Sequence, residues 1–353
     1  VRRVLVVITA RPSYSRIKSA LVALKARPDV TLLIVAAASA LVTRYGRIVD
    51  QIRVDGFEVA AEVPSVIDGD GLAETAMSTG LLLTQLAGTF ARLRPDVVVT
   101  IADRHETIAT AIAASYQHIP LVHVQGGELT GSIDNKVRHG VSQLADYHLT
   151  ATANAAERII LRRPKAEVEV TGCPSIDLAA EAERLGPITD HPPVVVLQHP
   201  VSSEVDQAAE QMQATVDAIG SRPALWLWPG EEAGSAHMAK VLRMAKITPV
   251  RNLPPVEFLR VLYGSRVLVG NSSVGIRECS YLGLPVVNIG TRQANRERAS
   301  NVLDVGHDVG EIRTALAMQL SRGWCASSTL YGDGHAGERI AALLAGESKE
   351  AAA

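Results

Sequence analysis

A chain of 353 residues that is 47% hydrophobic and 20% charged is too long for one small core, which implies two domains of about 150 residues each and excludes disorder and fibres. Thirty-five Lys and Arg against 37 Asp and Glu leave a formal charge of −2, so no global field would hold a nucleic acid or an anionic membrane, and any anionic partner has to be met locally. Cys173, Cys279 and Cys325 lie far apart with no ligand spacing, which argues against a disulfide framework or a zinc site and suits a reducing cytoplasm.

Arg2 and Arg3 open the chain ahead of an apolar stretch. No small-residue cleavage site follows, and the polar turn at residues 11–15 comes too early, so residues 4–8 read as a first buried strand and not as a signal peptide. The longest apolar run, residues 30–43, is short of the roughly 18 to 20 residues a membrane span needs. Short β-branched runs recur at residues 31–35, 97–101, 121–124 and 147–150, each followed by a polar turn and a helical pattern. Continuous apolar strands alternating with helices signal a parallel sheet buried on both faces. Residues 181–193, acidic and proline-containing, read as the linker. The pattern then restarts at 194–197, 224–228, 267–270 and 286–289, with helices at 205–219 and 311–320. The expected architecture is α/β: two doubly wound Rossmann-like domains, residues 1–175 and 190–335, whose sheets present their carboxyl ends to a cleft. A last helix, within residues 336–353, is expected to pack back on the first domain, with a frayed tail.

The turns after the strands carry the chemistry. Arg11-Pro12-Ser13-Tyr14-Ser15 precedes a helix expected near Arg16, and is either an anion site at a helix start or an ordinary cap at Ser13 or Ser15. Asp103-Arg104-His105-Glu106 crowds four ionisable groups at a strand end, suited to acid/base work, or to a capping Asp103 beside a surface Arg104–Glu106 pair. Gln125-Gly126-Gly127-Glu128 opens a loop that ends at Asp134; its glycines let backbone approach a ligand while Glu128 and Asp134 supply carboxylates. His199 follows the strand at 194–197 directly, as either a functional or a satisfied structural group. Asn271-Ser272-Ser273 is the strand-to-helix junction best suited to a diphosphate, and Arg292, Arg296 and Arg298 follow the next strand. Only 7 of the 35 cations are Lys, and Arg is the side chain suited to forked phosphate contacts.

Together these segments resemble the hydrolysing UDP-N-acetylglucosamine 2-epimerases of the sialic-acid branch, including the epimerase half of the bifunctional epimerase/N-acetylmannosamine kinase. The resemblance runs from Val4 to about Leu344. It is carried by Arg11 with Tyr14-Ser15, Asp103-Arg104, Gly126-Gly127-Glu128, Ile133-Asp134, Arg138-His139, Gly172-Cys173-Pro174-Ser175, Gln198-His199-Pro200, Gly270-Asn271-Ser272-Ser273 with Arg277-Glu278, Gly290-Thr291-Arg292-Gln293 and Tyr331-Gly332-Asp333-Gly334. It implies the two-Rossmann architecture of GT-B type, with the nucleotide held mainly by the second domain. It also implies cleavage of the anomeric C–O bond of a nucleotide-diphosphate sugar: UDP leaves as a base takes the C2 proton, then water adds to give free N-acetylmannosamine. No metal and no cofactor are implied; a homo-oligomer is. Carried over by position, Asp103, Asp134 and His199 are acid/base or phosphate partners, with Gln125 and Glu128 beside them. Arg11, Ser15, Arg104, Ser272, Ser273, Glu278 and Arg292 hold the nucleotide.

Three positions depart from the family pattern. Gln125 stands where the family has Glu, Ser13 where it has Asp, and Gly230 where it has Asn. A carboxamide cannot shuttle a proton near neutral pH. That leaves an alternative on the same scaffold, a glycosyltransferase or nucleotide-sugar hydrolase acting at C1 with a small-molecule acceptor and no C2 deprotonation.

Overall fold

The computed structural model describes residues 1–68, 72–131, 133–201, 203–229, 233–251 and 253–347. The chain divides into two compact units. One comprises Val1–Glu128, Asp134–Asp177 and the chain from Gly332 on; the other comprises Leu129–Ile133 and Leu178–Tyr331.

The first unit begins β1 (Arg2–Ile8), α1 (Arg11–Ser15), α2 (Lys18–Lys25), β2 (Val30–Ala37), α3 (Ile48–Val54), β3 (Val59–Val63) and α4 (Leu72–Leu93). It continues β4 (Val97–Ile101), α5 (Thr107–Tyr116), β5 (Leu121–Val124), α6 (Asp134–Leu144), β6 (Tyr147–Thr150), α7 (Ala153–Arg162) and β7 (Glu167–Val170), and reaches α8 (Pro174–Leu185). Its seven strands are parallel in the order β3-β2-β1-β4-β5-β6-β7. Alternate residues of β1 explain why the strand is apolar throughout. Val4, Val6 and Ile8 join one core cluster, with Leu21 and Leu24 of α2, while Leu5 and Val7 join another, with Leu82, Leu86 and Phe90 of α4. Each such fully buried side chain contributes on the order of 1.5 to 3 kcal/mol.

The second unit runs β8 (Val194–Leu197), α9 (Ala208–Ile219), β9 (Ala224–Trp226), α10 (Ser235–Met244), α11 (Pro255–Tyr263), β10 (Val267–Gly270), α12 (Ser273–Ile276), α13 (Glu278–Leu282), β11 (Val286–Ile289), β12 (Val302–Val305) and α14 (Val309–Arg322). Its five parallel strands lie in the order β12-β11-β10-β8-β9. The same alternation holds: Val267 and Val269 face one cluster and Leu268 the other. The chain returns to the first unit in α15 (Ala336–Ala345), where Ile340 and Leu344 share a core with Leu21 and Leu24. Asp177 anchors that helix by accepting from the backbone N–H of Ala336 and Gly337, at 3.0 and 2.6 Å.

Four expectations need correction. The turn after β1 is itself a short helix, α1 from Arg11, ahead of the helix expected near Arg16, which is α2 from Lys18. The N-cap of α1 is Ala10, whose N–H donates to Ser13 Oγ at 3.0 Å, so neither Ser13 nor Ser15 is the cap. The first five residues of the expected linker, 181–185, are helix, because α8 extends to Leu185; Pro174 sits at its first position, where a missing N–H costs nothing. The departure at Gly230 and the tail from residue 348 lie outside the described residues. Finally, β3, β7 and β12 escape the apolar-run criterion. All three are sheet edges, and their sequences VAAEV, EVEV and VLDV carry charge where central strands carry Val or Ile.

Candidate active site

In an open parallel sheet, ligands bind outside the carboxyl ends of the strands where the strand order reverses. In the first unit that point lies between β1 and β4, and the turns leaving them are Ala10–Ser15 and Ala102–Glu106. In the second it lies between β8 and β10, whose turns carry His199 and Asn271-Ser272-Ser273. Arg11, Ser15, Asp103 and Arg104, and His199, Ser272 and Ser273, therefore stand at the switch points of their sheets, while Gln125 and Glu128 follow the neighbouring β5 and Arg292 follows β11.

In the first unit, Asp103 is 6% exposed and meets two arginines. Arg138 of α6 donates to it through Nη2, and Arg16 lies 3.6 Å away as an ion pair. Arg138 is fully buried, and its Nη1 donates to the Glu128 carbonyl at 2.8 Å, which ties the Gly-Gly-Glu loop to the same guanidinium. Asp134 starts α6, half-buried, four residues before Arg138 and so on the same helix face. Glu128 is buried. Asp103 does not cap α5, whose N-cap is Glu106. The Arg104–Glu106 pair forms, with N···O distances of 3.1 and 3.2 Å, but Glu106 is buried rather than on the surface. Burial pushes the Glu106 carboxyl up, and Arg104 and His105 outweigh it, holding the group below its ordinary value.

The backbone is strained where these turns begin. Ala102 and Gln125, the first residues after β4 and β5, have φ of +62° and +64°, a region L-residues seldom occupy and one that clusters at functional sites. Gly127, at φ +77°, must be glycine, because a Cβ there would stand 2.1 Å from the Ala155 carbonyl oxygen. Gln125 is 0% exposed; its Nε2 donates to Cys173 Sγ at 2.7 Å, and its Oε1 has no hydrogen-bond partner among the described residues. Arg11 opens α1, and its carbonyl accepts from Ser15 Oγ at 3.2 Å. Tyr14 is buried and donates to Asp55, which Lys18 also meets at 2.7 Å, so this tyrosine anchors the turn from below.

His123 of β5 fixes the turn from inside the sheet. A carbonyl only accepts, so Nε2–H donates to Ala102 O at 2.8 Å, and Nδ1 takes the Ser142 hydroxyl at 3.0 Å. Burial pushes its pKa down to about 4, and the neighbouring His148, buried beside His123 and Arg163, is pushed down to about 3. Both depressed values mean that the unfolded chain binds more protons. The stability from their neutral forms is complete above the unfolded value of about 6.5 and is lost as pH falls through 6.5 towards 4 and 3. His123 alone is expected to cost about 2 to 3 kcal/mol by pH 4.5. Urea midpoints measured from pH 7 to 4.5 should fall, and more gently in His148→Leu; a midpoint independent of pH would refute this account.

In the second unit, Asn271 is the hub. It is fully buried, accepts from His199 N–H at 2.7 Å and donates to His199 O at 2.8 Å, which joins the ends of β8 and β10. Its own carbonyl accepts from Gln293 Nε2 at 2.9 Å and from Arg292 Nη1 at 3.4 Å, so the turn after β11 is gathered to the same point. Gly270, at φ +137°, permits this approach, since a Cβ would meet Leu197 O at 2.1 Å. Ser272 caps α12 by accepting from Val274 N–H at 3.5 Å, with Ser273 and Glu278 half-buried alongside. The helix that follows is short. It stops after four residues and restarts at Glu278, so an anion at this junction would be met by local N–H groups and not by a long helix dipole. Among the described residues, no group of three or more His, Cys, Asp or Glu side chains is arranged to hold a metal, and no helix is long and apolar enough to cross a membrane.

Arg16, Arg138, His123 and Asn271 were not among the sequence candidates, although Arg138 and Asn271 stood in the quoted motifs. Only the i, i+4 spacing of Asp134 and Arg138 could have signalled the first pairing.

The UDP-N-acetylglucosamine 2-epimerase family matches residues 22–345. A Legionella pneumophila protein named UDP-N,N'-diacetylbacillosamine 2-epimerase (hydrolyzing) is 32% identical over 98% of this chain and 96% of its own length. A Campylobacter jejuni GDP/UDP-N,N'-diacetylbacillosamine 2-epimerase (hydrolyzing) is 24% identical over 86% of this chain and 84% of its own. The crystal structure of UDP-GlcNAc 2-epimerase from Neisseria meningitidis bound to UDP-GlcNAc covers 97% of this chain and 99% of its own, with a TM-score of 0.79. At 17% identity that likeness speaks for the fold alone. A match over nearly the whole chain, on two parallel α/β sheets of GT-B type, makes the protein a member of the UDP-N-acetylglucosamine 2-epimerase family and a nucleotide-sugar epimerase.

Proposed function

We propose that the protein is a hydrolysing 2-epimerase of a UDP-linked 2-acetamido sugar. In this reaction a base takes the C2 proton, the C1–O bond breaks with its electron pair leaving on the diphosphate, and C1 and C2 become a double bond. Water then gives its hydroxyl to C1 and a proton returns to C2 on the other face, releasing the inverted free sugar. The observation that carries the reading is the buried Asp103 at the β1/β4 switch point, gripped by Arg16 and Arg138 with Asp134 on the same face of α6. Arg11, Ser15, Arg104, Ser272, Ser273, Glu278 and Arg292 serve the nucleotide in this reading, and His199, set by Asn271, faces the departing phosphate. Glu128 serves as a further carboxylate.

Of the sugars named for its relatives, N,N'-diacetylbacillosamine is the first candidate, because the 32% identical protein carries that name over 98% of this chain. Transfer at C1 to a small-molecule acceptor finds no support in Gln125, whose amide is buried on Cys173. Self-association belongs to the same reading and is supported by exposed apolar side chains Leu72, Met77 and Leu81 along α4. The test is incubation with UDP-GlcNAc and UDP-N,N'-diacetylbacillosamine in deuterated water, followed by NMR. Free sugar with inverted C2 carrying deuterium is expected; sugar released without deuterium at C2 would overturn the proposal in favour of displacement at C1.

A further inference from the structure

His139 follows Arg138 on α6 and, about 100° further round the helix, faces a different set of side chains. A narrow notch in the first unit is lined by Gly127, His139, Ser142, Arg158, Arg162 and Arg163. It encloses about 10 Å³, room for about one water molecule or one phosphate oxygen. Among the described residues Arg158 reaches the Gly127 carbonyl alone, at 3.4 Å, and Arg163 uses its Nη1 on the carbonyls of Ser142 and Ala145 and on His148 Nε2. Among the described residues none of the three arginines forms an ion pair, and Arg162 is exposed at the rim. The buried Nε2 of His139 has no hydrogen-bond partner among the described residues.

Like charges so grouped repel one another, and forked guanidinium groups suit a tetrahedral oxyanion. We propose that this notch binds an oxyanion of the phosphate class, one oxygen entering beside His139 Nε2 and the others meeting Arg158 and Arg162. The groups facing His139 are Arg138 on its own helix, Arg158 and Arg162 on α7, and Arg163 just beyond. Burial and these cations hold the imidazole below its ordinary pKa, and an anion would reverse part of that effect. Occupancy also draws Arg158 from the Gly127 carbonyl, which connects the notch to the loop carrying Glu128.

The probe is inorganic phosphate, titrated into the full chain at constant ionic strength set with chloride. Calorimetry follows binding, and NMR of labelled histidine follows the His139 imidazole. Saturable one-to-one binding is expected, with the His139 titration moved to higher pH. The Arg158→Gln, Arg162→Gln double variant should bind phosphate at least about tenfold more weakly, as expected on losing hydrogen bonds to a charged group. Should that variant not fold, Arg162→Gln alone, at an exposed position, should still weaken binding severalfold. A second arm repeats the titration with UDP already saturating. Retained phosphate binding identifies free phosphate as the occupant; competition with UDP, unchanged affinity in the variants, or a purely ionic-strength response would each overturn the proposal.

Discussion

Asp103→Asn is expected to lower turnover by roughly two to four orders of magnitude, the usual worth of a positioned acid or base. It is also expected to destabilise the fold by about 3 to 5 kcal/mol, because it leaves a buried charge without its counterion. Arg138 is fully buried, and its two amino groups are committed to Asp103 and to the Glu128 carbonyl. An amide can accept a hydrogen bond from Nη2 but cannot neutralise it. Asp134→Asn separates the two effects. Asp134 is half-buried at the first position of α6, where a lost carboxylate costs about 0.3 to 1 kcal/mol of helix-terminus electrostatics, so turnover should fall as far with a smaller loss of stability than in Asp103→Asn. The double variant Asp103→Asn, Arg138→Met should regain much of the stability and none of the turnover, since it removes both members of the pair. Sugar-nucleotide consumption and urea unfolding on the same preparations decide the matter. Normal turnover in both single variants would defeat the catalytic reading, and an unshifted urea midpoint in Asp103→Asn would defeat the account of the buried pair.

The strands that define the switch points were legible because each carries a run buried on both faces and so almost wholly apolar, as Val4–Ile8 of β1 and all of β4, β8 and β10 do. Edge strands buried less completely were not: Glu167–Val170 alternates glutamate with valine and pairs on one side only. Site residues that follow a central strand, Asp103 and His199, could be found from their place after an apolar run. Their partners could not. Arg138 arrives at Asp103 from a helix 35 positions after it and Arg16 from the turn between α1 and α2, 87 positions before it, and nothing local distinguishes a buried arginine from an exposed one. Asn271 looked like a cap in sequence, yet its side chain is occupied by the His199 backbone. Helix starts were the least legible feature, since Ser13 carries a capping residue's chemistry but sits at the third helical position and bonds backward to Ala10.

Gln125→Glu is expected to lose most of the native turnover and to become less stable as pH rises. The amide is 0% exposed, sits at φ +64° where the backbone has little freedom to readjust, and donates through Nε2 to Cys173 Sγ. A carboxylate there can only accept, so the thiol would have to donate to it, and the sulfur could then only accept from Ser175 Oγ, 2.9 Å away. Among the described residues the side-chain partner of Gln125 is a thiol and not a cation, so the new charge is buried uncompensated and its pKa in the folded state lies above the unfolded value of about 4.3. The sign follows from that. Below about pH 4 both states carry the proton and the penalty vanishes, whereas above it each unit of upward shift costs about 1.4 kcal/mol once the pH exceeds the folded value. Movement of the loop passes through Gly127, wedged against Ala155, to Glu128 and the guanidinium that holds Asp103, which is why activity should fall with stability. Urea midpoints at pH 5 and pH 8, with C2 deuterium incorporation at both, test this directly. The variant should approach the parent at pH 5 and fall behind at pH 8, while faster deuterated product from the Glu variant at unchanged stability would mean that the missing carboxylate limits proton transfer and that the amide is not serving the fold.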